Sequence, residues 1–220
     1  ISIRERMGED AAVMIARAAA CPDKDKADLI YRMIVLGLHL KDGHRITGML
    51  GDPVMQRMFE LGRKAGNIAM RYIEIIRFQE LDSGALLAVI DPEADVLALI
   101  APHFSNRLPL ENWMIYDRRR QKAVIHPAGK GWFLVEEVDE RSVLEAEMSH
   151  EEAWYGELWK CFFKTLTIEA RVNQKLQTSL IPLKYRDFMK EFQNESLRED
   201  CEKCQNKETK QEYEKQISQE

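Results

Sequence analysis

Five short runs decide the fold: YIEIIRFQE (72–80), ALLAVID (85–91), NWMIYD (112–117), KAVIH (122–126) and WFLVEEV (132–138). Each is rich in β-branched, aliphatic or aromatic residues, and turn-forming residues separate them, which is how strands read. Leu81-Asp82-Ser83-Gly84 joins the first two runs as a hairpin turn. Arg118-Arg119-Arg120-Gln121 joins the third to the fourth, and Pro127 to Gly131 the fourth to the fifth. Between the second and third, Asp91-Pro92-Glu93 starts a helix through Val96, Leu97, Leu99 and Ile100, which Pro102 is expected to kink or end. The order β-β-α-β-β-β predicts an antiparallel sheet layer with a helix on one face, an α+β architecture.

Working outward, residues 1–70 read as a helical N-terminal part. Gly8 to Ala20 is Ala-rich and stops at Cys21-Pro22. Asp23 is placed to cap a second helix that carries Leu29, Ile30, Met33, Ile34 and Leu38 and stops at Asp42-Gly43. Asp52-Pro53 starts a third, because Asp caps and Pro fits the first helical position. Beyond the sheet, Ser149 and Glu152 make a capping box. The helix behind it places Trp154, Tyr155, Leu158, Trp159, Phe162, Phe163 and Leu166 on one broad face, expected as core. The same residue types would make a base-stacking platform if their rings were exposed. A short helix after Pro182 carries Tyr185, Phe188, Met189 and Phe192, and residues 193–220 form a charged tail with few apolar anchors. Three segments follow: 1–70 helical, 71–192 α+β, and 193–220 tail.

Composition bounds the function classes. The 220 residues are 45% hydrophobic and 31% charged, enough apolar material for a core. The longest apolar stretch, Leu29 to Leu40, is broken by Arg32 and His39. It falls short of the roughly 20 residues a membrane span needs, so it is expected as a buried helix and no membrane partner is expected. No secretory pattern is visible, and the cysteines suit a reducing cytoplasm. Cys21 and Cys161 sit in apolar helical surroundings as structural thiols. Cys201 and Cys204 form a lone CxxC with no second pair, too little for a zinc site.

The net charge of -5 argues at first against nucleic acid. Its distribution changes that. Residues 191–220 hold nine acids against five bases. Residues 160–186 hold Lys160, Lys164, Arg171, Lys175, Lys184 and Arg186 against Glu169 alone. A solvated helical face explains such a run as well as binding does.

There is no Gly-rich phosphate loop, GxSxG, HExxH or cluster-type cysteine motif, so no metal or cofactor is expected. Three constellations remain. His103, beside Phe104, Asn106 and Arg107, suits a proton shuttle, a phosphate contact or a helix C-terminal cap. Asp117 precedes three arginines whose guanidinium groups suit phosphates, though a solvated turn would read the same. The third is the basic run itself.

The chain also resembles a bacterial domain-of-unknown-function family, DUF4130, described as DNA-metabolism or DNA-repair proteins. The resemblance spans about residues 70–192. It rests on the His-Phe pair after an Asp-Pro helix, a W-x-I-x-D-x-R-R run, and the spacing of Tyr155, Leu158, Trp159, Phe162, Phe163, Ile168, Arg171, Asn173, Leu176, Pro182 and Tyr185. It implies a gene neighbour that is a radical S-adenosylmethionine protein of DNA modification or repair, and in some members a fused uracil-DNA-glycosylase-like domain. The polar positions that match are His103, Asp117, Arg118, Arg119, Arg120, Glu169, Arg171, Asn173, Pro182 and Tyr185. The resemblance gives none of them an agreed catalytic role.

The expectation is therefore a cytoplasmic accessory protein of DNA metabolism that binds DNA, docks a radical S-adenosylmethionine or glycosylase-type partner, or does both. Arg118, Arg119 and Arg120 would grip phosphate, Arg171 and Lys175 would extend the track, and His103 and Asn173 would line the groove. One rival is a nuclease or base-processing hydrolase using His103 with Asp117 or Glu169. Another is a protein-docking module with an exposed apolar patch around Trp113 or Trp132.

Overall fold

The computed structural model describes residues 2–144, 148–150, 152, 154–156, 158, 159, 173–186, 189 and 192. The chain is a mixed α and β protein that divides into two compact units. One holds residues 1–76 and 85–146, the other 77–84 and 147–220.

The first unit starts with helices α1 (Ile3–Met7), α2 (Glu9–Ala20), α3 (Lys26–His39) and α4 (Pro53–Ile75), with a 3-10 turn at Gly43–Gly48. Their buried faces form one cluster that includes Met7, Ala11, Met14, Ala18, Met33, Ile46, Met55, Met58 and Leu61. Each large side chain buried this way contributes roughly 1.5–3 kcal/mol. Cys21 is buried there, its thiol donating to the Leu61 carbonyl at 3.1 Å, as its apolar surroundings predict. Gly43 is required for a close approach: a Cβ at that position would sit 2.4 Å from the Arg6 carbonyl oxygen.

Helix α4 opens as expected, with Asp52 accepting from the Val54 and Met55 N–H groups. It runs further than the sequence suggests. Residues 72–75, read as strand, are its last turn, because Tyr72 and Ile75 extend the buried stripe of Leu61, Ala65 and Ala69 at helical spacing. Only Gln79–Glu80 remains as a strand, β1, in the second unit. Asp23 does not cap α3. The N-cap position falls to Asp25, and Asp23 instead takes Arg57 at 3.2 Å and Lys64 at 2.8 Å.

Strands β2 (Leu86–Ile90), β3 (Trp113–Asp117), β4 (Lys122–His126) and β5 (Phe133–Val135) lie side by side in chain order. The β3–β4 and β4–β5 pairs are antiparallel, joined by the two predicted turns. The β2–β3 pair is parallel, with Leu86 opposite Trp113 and Ile90 opposite Asp117. Helix α5 (Leu97–Arg107) makes the crossover that a parallel pair demands. It continues past Pro102, whose side is exposed, while Leu97, Ile100, Ala101 and Phe104 are buried. The Phe104 ring lies 6.4 Å from Trp113, so α5 covers the face bearing Trp113 and Asp117. Helix α6 (Glu140–Leu144) closes the described part of this unit.

In the second unit, Ser149 caps the helical residues behind it by accepting from the Glu152 N–H at 3.1 Å, and its own N–H bonds to the Glu80 carbonyl. Helices α7 (Gln174–Leu180) and α8 (Leu183–Arg186) follow. Tyr185 and Met189 are buried, and the Arg186 guanidinium lies 4.7 Å over the Phe192 ring. Among the described residues no helix is long and apolar enough to cross a membrane.

Candidate functional site

The arginine turn sits where β2 and β3 end together. Asp117, the last residue of β3, is fully buried. Its Oδ1 accepts the N–H groups of Arg119 at 3.0 Å and Arg120 at 3.2 Å, and its Oδ2 accepts from the Arg120 guanidinium at 2.9 Å. Burial pushes its carboxyl above the usual range, and the bonds from Arg120 and the turn pull it back down. Arg120 also donates to the Pro92 and Glu93 carbonyls at 2.9 and 2.7 Å, which ties the turn to the start of the crossover. Arg119 grips both oxygens of Asp91, at 2.7 and 3.2 Å. Arg118 donates to Glu140 at 2.6 Å, and its own N–H bonds to the Ile90 carbonyl.

All three guanidinium groups thus have carboxylate partners inside the chain. Acids at 91, 93, 95, 117, 136, 137, 139 and 140 outnumber the local cations Arg118, Arg119, Arg120, Lys122 and Arg141. A phosphate arriving here would meet more carboxylates than cations, although Arg118 and Arg119 are partly exposed and use only some of their N–H donors on those acids. The arrangement holds a tight turn, and Gln121 completes it with φ 52°.

His103 is exposed on α5, its ring edge-on to Phe104 at 5.1 Å. Phe104 in turn meets Trp113, the first residue of β3. Asp117 lies four residues along that strand, about 13 Å further. Its carboxylate is bonded only to the arginine turn. His103 and Asp117 therefore do not form an acid–base pair. Glu169 and Arg171 lie outside the described residues, as do Lys160, Lys164, Cys161, Cys201 and Cys204. Asn173 is spent locally: its side chain caps α7 by accepting from the Leu176 N–H at 3.0 Å. Lys175 is exposed on the same helix.

Trp113, one of the residues proposed for a docking patch, is buried. It stacks on His126 with ring centroids 4.9 Å apart and planes 4° from parallel. The two are directly opposite on β3 and β4, where cross-strand aromatic pairs meet. His126 holds the Glu111 carbonyl at 3.0 Å through Nδ1. Trp132 is half-buried.

The helical face after Ser149 also differs from expectation. Trp154 is 42% exposed, Tyr155 55%, Leu158 44% and Trp159 44%. Trp154 and Tyr155 are edge-to-face at 5.0 Å. Periodicity places these residues on a helix but cannot say whether anything covers them. Leu176, Leu180 and Leu183 are exposed as well. Rings and cations thus occur together in the second unit. In the arginine turn the cations are already paired.

The fold defines an α+β protein whose three consecutive arginines are ion-paired to carboxylates of the chain and in which exposed rings follow Ser149. The chain belongs to the domain-of-unknown-function family DUF4130, whose model matches residues 24–191. No curated protein and no solved structure matches it.

Proposed function

We propose that this chain is an accessory protein of DNA metabolism that holds single-stranded DNA through its second unit. There it would serve a radical S-adenosylmethionine or glycosylase-type enzyme. The observation that carries this reading is the exposure of Trp154, Tyr155 and Trp159 on one helical stretch. Every base has a π-face, so exposed rings bind single strands without reading sequence, at about 1–3 kcal/mol per stacked base. The basic run from 160 to 186 supplies phosphate-matching charge in the same unit, with Lys175 exposed. A duplex keeps its bases stacked on one another, so exposed rings favour the single strand.

Oligo-dT titrated into the full chain while tryptophan emission is followed tests this. Stacking on Trp154 and Trp159 quenches emission, and affinity falls with salt by about 0.7 log units per log unit of salt for each phosphate engaged. Absence of binding at low salt, or equal affinity for duplex and single strand, overturns the reading.

A further inference from the structure

Strand β5 is the last strand of its sheet, and among the described residues no strand pairs with its outer side. Hydrogen bonds two strands away fix which of its backbone groups face that side. The Leu86 N–H bonds to the Asn112 carbonyl and the Arg118 N–H to the Ile90 carbonyl, both at 2.9 Å. The even-numbered positions of β3 therefore turn their backbone toward β2, and Trp113, Ile115 and Asp117 bond to His126, Val124 and Lys122. That leaves Ala123 and Ile125 of β4 to bond Val135 and Phe133. The N–H and C=O of Leu134, and by the same alternation of Trp132 beside the strand, point outward.

Edge strands are normally blunted by a charge or a proline. Gly131-Trp132-Phe133-Leu134-Val135 has neither. The register puts Leu134 on the face that α5 covers and Phe133 on the opposite face, and they are 46% and 48% exposed. A helix laid on the sheet would cover only one of these faces. A further strand, bonded to the edge, extends both.

The flanking charges select that strand. Lys130 precedes the apolar run, Glu136 follows it, and both are exposed. The segment is thus complementary to itself when reversed. In an antiparallel pair centred on Phe133, Lys130 lies opposite Glu136 of the partner subunit and Trp132 opposite Leu134 of the partner subunit. Trp132 and Leu134 make the hydrogen-bonded pairs. Phe133 meets Phe133 of the partner subunit in the closer, non-hydrogen-bonded pair, an aromatic match. Centring the pair on Leu134 instead would set Trp132 against a glutamate.

We propose that β5 pairs antiparallel with β5 of a second copy of this chain, about a two-fold axis at Phe133, making one continuous sheet across a homodimer. Both copies use the same edge, so the contact is closed and does not propagate. This goes beyond the nucleic-acid reading, uses the other unit, and stands or falls separately from it.

Sedimentation equilibrium of the full chain from about 1 to 500 µM tests the proposal, because a short edge contact belongs with the weaker interfaces. A monomer–dimer equilibrium is expected. Amide hydrogen exchange at Trp132 and Leu134 should slow as concentration rises, while that at Phe133 and Val135, bonded within the chain, should not. Phe133→Lys sets like charges face to face and should abolish association over this range. Lys130→Glu and Glu136→Lys should each weaken it about tenfold, and the double reversal should restore it. All three side chains are exposed, so the variants keep the fold, and a thermal melt checks this. A chain that stays monomeric throughout overturns the proposal. So does a dimer indifferent to Phe133→Lys, one that the double reversal does not restore, or one without concentration-dependent protection at Trp132 and Leu134.

Discussion

The arginine turn and the second unit carry the same kind of residue and put it to different use. In the turn, Arg118, Arg119 and Arg120 each reach a carboxylate at 2.9 Å or less, and the deepest of these acids is wholly buried. In the second unit, Lys175 is exposed, the rings of Trp154, Tyr155 and Trp159 face outward, and residues 160–186 contain one acid. A run of cations therefore says nothing about a partner until its counter-charges are located. The three consecutive arginines are the cations that the chain's own carboxylates have already paired.

The sharpest way to break this contrast is Asp117→Ala. If the turn is structural, removing the buried carboxylate strands Arg120 and the turn amides, and chemical denaturation should show a loss of about 3–5 kcal/mol. A loss below about 1 kcal/mol would mean that the turn is not the anchor described here. Next in size, Trp154→Ala and Trp159→Ala should each weaken oligo-dT binding by about 1–3 kcal/mol, with the melting temperature nearly unchanged. Arg118→Ala and Arg119→Ala should leave oligo-dT binding in place. If those two abolish it and the tryptophan variants do not, the assignment of the two regions is reversed.

Asn173→Ala should lower stability by about 1 kcal/mol, the usual cost of a lost N-cap, with little effect on DNA affinity. A large affinity change at constant stability would return Asn173 to the binding surface. The smallest effect concerns acid. Asp23 is held below the usual carboxylate range, first by its bond from Lys64, so it contributes stability that is lost as pH falls through its folded value. Asp117 is displaced upward by burial, so the native state takes up its proton before the unfolded state does. Between its unfolded and folded values, stability from this group therefore rises as pH falls. Asp23→Asn should flatten the acid limb of stability against pH, and Asp117→Asn should steepen it. Equal slopes for both variants would refute the sign assigned to Asp117.

Much of the fold could be read from residues. The Asp52-Pro53 start, the turn at 118–121, the turn at 127–131 and the β-β-α-β-β-β order rest on local chemistry that acts within a few positions. The misreading at Tyr72 to Ile75 shows the limit. Ile, Tyr and Phe favour strands, but the stripe begun at Leu61 continued for one more turn, and tertiary burial outweighed propensity. The parallel β2–β3 pair was hidden because strand order does not fix strand direction. The candidate site was less legible still. Asp91 and the backbone carbonyls at 92 and 93 lie 27 or 28 positions from the arginines they hold, and Glu140 lies 22, and no spacing rule reaches that far. Nor could the helical pattern at Trp154 to Trp159 tell a covered face from an open one.

The packing of α2 against α4 bears on how this family's borders should be drawn. The family match begins at residue 24, yet Met7, Ala11, Met14 and Ala18 belong to the same buried cluster as Met58 and Leu61. The Asp95 N–H, at the mouth of the crossover, bonds to the carbonyl of Ala20 at 2.8 Å. A fragment cut at the family border would lose one wall of its interior and leave Met58 and Leu61 wet. The border marks where family likeness begins, and the packed interior reaches back at least to Met7.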